Sequence, residues 1–92
     1  MTKEQELMDF LHKNVFDRIL SSKDADKSIK SGVNLTIARM NKLSAKSMIT
    51  YFWSAIANET KQSKLLKEAG LPRFEDVREE FKARFNDEWL NT

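Results

Sequence analysis

The stretch that decides the fold is SAKSMITYFWSAIA, residues 44–57. Read as a helix, it has apolar side chains on nearly every side, because the consecutive residues Tyr51, Phe52 and Trp53 point in three directions. A helix with so little polar surface has to be enclosed by other helices. We therefore predict that it is the central helix of a small bundle, with Ser44 as its N-cap.

Two further helices are predicted before this stretch. The first spans about residues 3–20, and the second spans about residues 24–40, with Ser22 or Asp24 as its N-cap. Gly32 lies inside the second helix, where glycine costs about 1 kcal/mol of helix propensity relative to alanine. Either a neighbouring helix crosses closely at Gly32, or the segment consists of two shorter helices. The apolar face of the first helix consists of Leu7, Phe10, Leu11, Val15, Ile19 and Leu20, widened by Met8 and Phe16.

Helical spacing also continues after the central stretch. Residues 59–69 follow a helical pattern. The sequence allows two arrangements: this segment continues the preceding helix past Asn58, or it bends away from that helix near Asn58. Gly70 is the expected C-terminal glycine of that segment. The last helix is predicted over about residues 74–90, where Phe74, Val77, Phe81, Phe85 and Trp89 recur at steps of three and four. The fold class is therefore all-α, a compact single-domain bundle of four to five helices over residues 1–92.

The composition limits the class of protein. Ninety-two residues with 40% hydrophobic and 33% charged side chains fit one soluble domain. The absence of cysteine excludes a disulfide framework and thiolate metal sites, and it favours a reducing compartment. No secretory signal is visible, and no apolar run approaches the roughly 18 to 20 residues of a membrane span. A cytoplasmic location without membrane association is predicted.

Charge is concentrated in the middle of the chain. Residues 21–67 carry nine Lys and Arg against three Asp and Glu, whereas the whole chain carries only +2. Lysines at helical spacing can contact nucleic-acid phosphates, so this basic middle segment is a candidate nucleic-acid surface. A solvated helix face and pairing with the acidic last helix are simpler explanations, and a helix-turn-helix is disfavoured because its recognition helix would be mostly core. The candidate nucleic-acid contacts are Lys23, Lys27 and Lys30 on the second helix, Lys42, Lys46, and Lys61, Lys64 and Lys67 on the segment after the third.

The sequence gives little support to an enzyme. His12 is the only histidine, and it has neither a nucleophile nor enough metal ligands beside it at helical spacing. No phosphate-binding glycine loop is present. The carboxylate pairs at spacing four on the last helix, such as Glu75 with Glu79, are best explained as solvated surface. No catalytic residue, metal ligand or cofactor is predicted.

Polar-tipped aromatic side chains suggest a different kind of surface. Tyr51 and Trp53 are rigid and amphipathic, as interface anchors are. Trp89 lies so close to the end of the chain that it is either docked on the bundle or available to a second chain. The candidate protein-binding surface consists of Lys46, Thr50, Tyr51, Trp53 and Trp89.

Residues 31–40, 48–56 and 73–77 resemble segments of small uncharacterised helical proteins encoded in Gram-positive bacteria, often near phage genes or integrative elements. The resemblance covers most of the chain and implies a context but no activity. Accessory proteins of mobile elements commonly bind another protein or nucleic acid. We therefore expect a non-catalytic accessory or regulatory protein that binds a protein partner, with a homodimer as one form of that binding. Nucleic-acid binding by residues 21–67 is the alternative.

Overall fold

Six helices make up the chain, and a computed structural model describes all of its residues, 1–92. No strand is present, so the all-α prediction is confirmed, although the number of helices exceeds the predicted four to five. None of the six combines the length and the apolar character that crossing a bilayer requires. The helices are α1 (Lys3–Leu11, a π-helical turn at His12–Phe16, and Asp17–Leu20), α2 (Lys27–Met40), α3 (Ala45–Ala57), α4 (Lys61–Glu68), α5 (Arg78–Arg84, preceded by a 3₁₀ turn at Phe74–Val77) and α6 (Asp87–Leu90).

The central helix is α1, not α3. Nineteen residues are buried, and α1 supplies seven of them, whereas α3 supplies only Ala45, Met48 and Phe52. On the outer side of α3, Lys46, Thr50 and Ser54 are exposed, and the neighbouring Ile49 and Trp53 are only partly buried. The prediction of an enclosed third helix is therefore wrong, because its apolar side chains are shared between the core and the surface.

A π-helical turn explains why the apolar face of α1 is so wide. In this turn, residues five apart lie on the same side of the helix instead of residues four apart. Leu11 and Phe16 are both buried, and the side chains of His12 and Asp17 form a hydrogen bond of 2.9 Å. The extra residue rotates the second half of α1, so that Phe16 enters the core beside Val15. Both halves of α1 therefore face the bundle.

The second helix begins later than predicted. The carboxylate of Asp26 accepts a hydrogen bond of 2.8 Å from the Ile29 amide, so Asp26 is the N-cap. Ser22 instead accepts from the Asp24 amide, at 3.1 Å, within the preceding loop. The helix is continuous through Gly32, which excludes the prediction of two shorter helices.

The helix that follows α3 is a separate one. Asn58 has extended backbone angles, φ −107° and ψ 92°, and the Thr60 hydroxyl accepts from the Ser63 amide at 3.1 Å as the N-cap of α4. Gly70 ends α4 with φ +70°, as predicted. The Leu71 amide donates to the Leu66 carbonyl at 2.9 Å, which completes a Schellman turn. The short α4 can therefore lie against α2 instead of extending α3.

The last segment is not the single helix predicted over 74–90. It starts as a 3₁₀ turn, and α5 stops at Arg84 because Phe85 leaves the helical conformation, with φ −110° and ψ 56°. The side chain of Asn86 then accepts from the Trp89 amide at 2.9 Å and starts α6. Phe85, at this break, contacts the Phe10 ring edge-on at a centroid distance of 5.3 Å. Burial of Phe85 therefore accompanies the loss of helical continuity.

Stacked aromatic rings join α1, α3 and α5. Phe52 and Phe81 lie parallel with centroids 3.6 Å apart, and Phe10 contacts Phe81 edge-on at 6.2 Å. Both Phe52 and Phe81 are fully buried. The Cα radius of gyration, 12.9 Å, is that of a compact domain of this length.

Candidate functional site

A cleft of about 210 Å³ opens where α2, α3, α4 and the 3₁₀ turn meet beside α1. Its apolar surface includes Val15 and Phe16 from the π-helical turn of α1 and Ile19 from the segment that follows it. Its polar surface includes Arg39 and Tyr51. The cleft therefore combines an apolar floor with polar side chains, which is the usual character of a small-molecule site.

One wall of the cleft is a network whose members already bind one another. The Arg73 guanidinium lies 3.0 Å from the Glu75 carboxylate, and both side chains are largely shielded from water. The Ser63 hydroxyl donates to the same carboxylate at 3.2 Å. The network joins α4 to the 3₁₀ turn, so we assign it a structural role.

Two other polar groups of the cleft have no partner within the chain. Arg39 takes part in no ion pair, and the Tyr51 hydroxyl takes part in no hydrogen bond. Gln62, by contrast, donates to the Ile29 carbonyl at 3.3 Å. Arg39 and Tyr51 come from α2 and α3, so the cleft presents two free donors from two helices.

The predicted protein-binding residues of α3 lie on two different flanks. Lys46 and Thr50 lie within about 60° of Trp53 around the helix axis, whereas Tyr51 lies about 160° from Trp53. Tyr51 lines the cleft, and Lys46 and Thr50 are exposed on the other flank. Tyr51 and Trp53 therefore belong to separate surfaces.

Trp89 is docked onto the first turn of α1. Its indole Nε1 donates to the Glu6 carboxylate at 3.3 Å, and the Lys3 ammonium lies 5.4 Å from the ring centroid. The ring also meets Phe85 edge-on at 4.8 Å. Of the two alternatives for Trp89, the structure shows the docked one.

Two isoleucines extend the Trp53 flank. Ile49 and Ile56 are partly buried, and they lie at four residues before and three residues after Trp53. The prediction of an enclosed third helix implies that both lie in the core. Their spacing places them between Phe52 and Trp53 around the α3 axis, because they also lie three residues before and four residues after Phe52. They therefore border both the core and the Trp53 flank.

The lysines of the second helix lie away from α4. Gly32 marks the line of contact with Gln62 of α4, and Lys27 and Lys30 lie about 140° and 160° around the α2 axis from it. Lys23 precedes the helix altogether, in the loop before the N-cap. The predicted stripe of three lysines on α2 is therefore reduced to two.

The lysines of α4 likewise lie away from α2. The α4 residue that contacts α2 is Gln62. Around the α4 axis from Gln62, Lys61 lies at about 100°, Lys64 at about 160° and Lys67 at about 140°. All three are exposed, as are Lys42 in the turn before α3 and Lys46 in its first turn. The stripes on α2 and α4 therefore face in opposite directions and do not form one continuous surface.

The residues considered for acid–base or metal chemistry are spread over the surface. His12 pairs with Asp17, and Glu79 and Glu80 are exposed on α5. No group of three or more His, Asp and Glu side chains converges as a metal site would require. The cleft, and not these residues, is where polar groups from different helices meet.

The chain was compared with protein-family models, with curated proteins and with solved structures, and none of the three comparisons gives a match. The resemblance to mobile-element proteins therefore stays a prediction.

Proposed function

We propose that this chain is a non-catalytic accessory or regulatory protein of the cytoplasm that binds another protein through the α3 flank. The α3 flank consists of Ile49, Trp53 and Ile56 together with Lys46 and Thr50. The observation that carries the proposal is the partial exposure of Trp53 within an apolar strip that borders the exposed side of α3. A homodimer formed through the same flank is one form of this binding.

Trp53 has the properties of an interface anchor. Its ring meets Phe52 edge-on at 5.2 Å and Phe81 edge-on at 5.9 Å. These contacts fix the ring before a partner arrives, so little side-chain entropy would be lost on binding. Aromatic side chains held in this way contribute more to binding than flexible side chains of similar area. Exposed Lys46 and Thr50 beside the strip supply the polar rim that such interfaces have.

Nucleic-acid binding is the alternative, and the placement of the lysines gives it less support. A single duplex contacts one face of a small domain, whereas the lysines of α2 and α4 face apart. The net charge of +2 is also low for a protein that neutralises many phosphates. Protein binding therefore remains the proposed function.

The proposal is tested with Thr50→Arg and Trp53→Ala, and with Lys61→Gln as the control on another surface. Each folded variant is used to capture proteins from a lysate of the source organism, and its self-association is measured by analytical ultracentrifugation. We expect one partner, or the dimer, to be lost with Thr50→Arg and Trp53→Ala and retained with Lys61→Gln. If every variant still captures the same proteins and still forms the dimer, the proposed flank is wrong. Labelled oligonucleotides at about 50 mM salt test the alternative, which predicts binding that weakens steeply as salt rises.

A further inference from the structure

We propose that the cleft between α2, α3 and α4 binds a small carboxylate that carries a compact apolar group, such as one aromatic ring or a branched alkyl chain. This site is independent of the α3 flank. The cleft volume of about 210 Å³ sets the size of the ligand. A cavity of about 150 Å³ is enough for benzene, and pockets for drug-sized ligands start at about 300 Å³. One ring or branched chain with one small polar group therefore fits.

The floor of the cleft determines the apolar part of the ligand. Eight of the fifteen lining residues are hydrophobic, and they include Val15, Phe16 and Ile19 of α1 and Val33 of α2. These side chains come from the protein core, so they are held rigidly and would not rearrange around a polar ligand. Water displaced from such a surface favours an apolar ligand. A purely polar ligand would leave the floor without suitable contacts.

The rim determines the charge of the ligand. The lining carries two guanidinium groups, Arg39 and Arg73, and one carboxylate, Glu75, which leaves a net charge of +1. Arg73 is already paired with Glu75 at 3.0 Å, whereas Arg39 has no ionic partner. A guanidinium group matches a carboxylate with two parallel hydrogen bonds. The Tyr51 hydroxyl, also free, supplies a further donor from the opposite helix.

A carboxylate suits this rim better than a phosphate. A phosphate monoester carries nearly two negative charges at neutral pH, and the lining offers only one uncompensated positive charge. The α4 lysines that could add charge point away from α2. A monoanion is therefore the ligand whose charge the cleft can balance.

The test is a titration of the full chain, followed by amide NMR, with phenylacetate and 4-methylpentanoate as probes. We expect saturable shifts that cluster at Thr36, Arg39, Tyr51 and Gln62, with a dissociation constant of about 1 mM, because so few atoms are bound. Phenylacetamide, which has the same shape without the charge, should bind about tenfold more weakly. If no carboxylate gives saturable shifts at this cluster by about 20 mM, the proposal is wrong.

Substitutions identify the side chain that binds the carboxylate of the ligand. Arg39→Gln should weaken phenylacetate about tenfold and remove its preference over phenylacetamide, because the charged partner is lost. Tyr51→Phe should weaken it about threefold. Lys61→Gln, on the exposed side of α4, is the matched control and should leave both affinities unchanged. Persistence of the preference for acid over amide in Arg39→Gln would overturn the proposal.

The same chemistry occurs at the C-terminus of a polypeptide that ends in an apolar residue. Acetyl-glycyl-phenylalanine and its C-terminal amide distinguish the two sources. If the peptide acid binds about tenfold tighter than phenylacetate and the peptide amide binds no tighter than phenylacetate, the ligand is a polypeptide terminus. If phenylacetate binds as well as the peptide or better, the ligand is a free carboxylic acid. Either result supports the carboxylate site, and weak binding of both acids relative to their amides contradicts it.

Discussion

The side chain of Gln62 occupies the space beside Gly32 that any larger residue at position 32 would need. A Cβ atom on Gly32 would lie 2.6 Å from Gln62 Cδ, well inside van der Waals contact. From this position Gln62 donates to the Ile29 carbonyl at 3.3 Å and joins α4 to α2. The close crossing that the sequence predicted as one alternative at Gly32 is therefore made by a single side chain.

Gly32→Ala should change the free energy of unfolding by less than about 0.5 kcal/mol. Alanine adds about 1 kcal/mol of helix propensity at this position. The substitution also displaces Gln62, whose hydrogen bond to the Ile29 carbonyl is worth about 0.5 to 1.5 kcal/mol. The two effects nearly cancel, which urea unfolding followed by circular dichroism can measure.

The Gln62→Ala background separates these two effects. With the long side chain gone, Gly32→Ala should stabilise the protein by about 1 kcal/mol, because only the gain in helix propensity remains. The double-mutant cycle should therefore give a coupling of about 1 kcal/mol between the two positions. The same effect of Gly32→Ala in both backgrounds would mean that the contact does not form in solution.

The elements that the sequence predicted correctly depend on local chemistry. Ser44 caps α3, with its hydroxyl accepting from the Ser47 amide at 3.3 Å, and Gly70 ends α4 with positive φ. The elements that it missed depend on distant contacts. The pattern of apolar residues identifies Val15, Phe16 and Phe85 as core residues, but it does not contain the π-helical turn of α1 or the break at Phe85.

The candidate site divides in the same way. The predicted surface joined Tyr51 and Trp53, although helical geometry alone separates residues two positions apart by about 160° around the axis. The docking of Trp89 on Lys3 and Glu6 joins residues more than eighty positions apart. The cleft likewise takes its lining from five segments of the chain. Neither could be predicted without the tertiary arrangement.

Phe81→Ala should destabilise the protein by about 3 to 5 kcal/mol. Phe81 is fully buried, and its ring stacks on Phe52 and meets Phe10 and Phe85 edge-on or tilted. Removing it leaves a cavity where three helices meet. Urea unfolding measures the loss, and Leu35→Ala is the matched control because Leu35 is 51% exposed. A cost for Phe81→Ala as small as that of Leu35→Ala, about 0.5 kcal/mol or less, would contradict the packing.

Gly70→Ala should cost about 1 kcal/mol of stability through the backbone alone. No atom lies within 4 Å of the position that a Cβ would take at Gly70, so no steric clash contributes. The cost comes from φ +70°, which residues with a side chain adopt unfavourably. Gly70→Asn is the control, since asparagine tolerates this conformation better, and it should cost less than Gly70→Ala in thermal unfolding. An equal cost for both would point to a different cause.

Glu4→Ala should destabilise the protein by about 1 kcal/mol through the N-terminus of α3 rather than through α1. The Glu4 carboxylate accepts a hydrogen bond of 2.9 Å from the Ala45 amide, one of the amides that no residue within α3 can satisfy. Its negative charge also lies at the positive end of that helix. Glu4→Gln keeps an acceptor and loses the charge, so it should cost about half as much as Glu4→Ala.

Amide hydrogen exchange at Ala45 provides the local measurement. Glu4→Ala should speed exchange at Ala45, whereas Glu80→Ala, which removes an exposed carboxylate on α5, should not. Unchanged exchange at Ala45 in Glu4→Ala would show that the bond between α1 and α3 does not persist in solution.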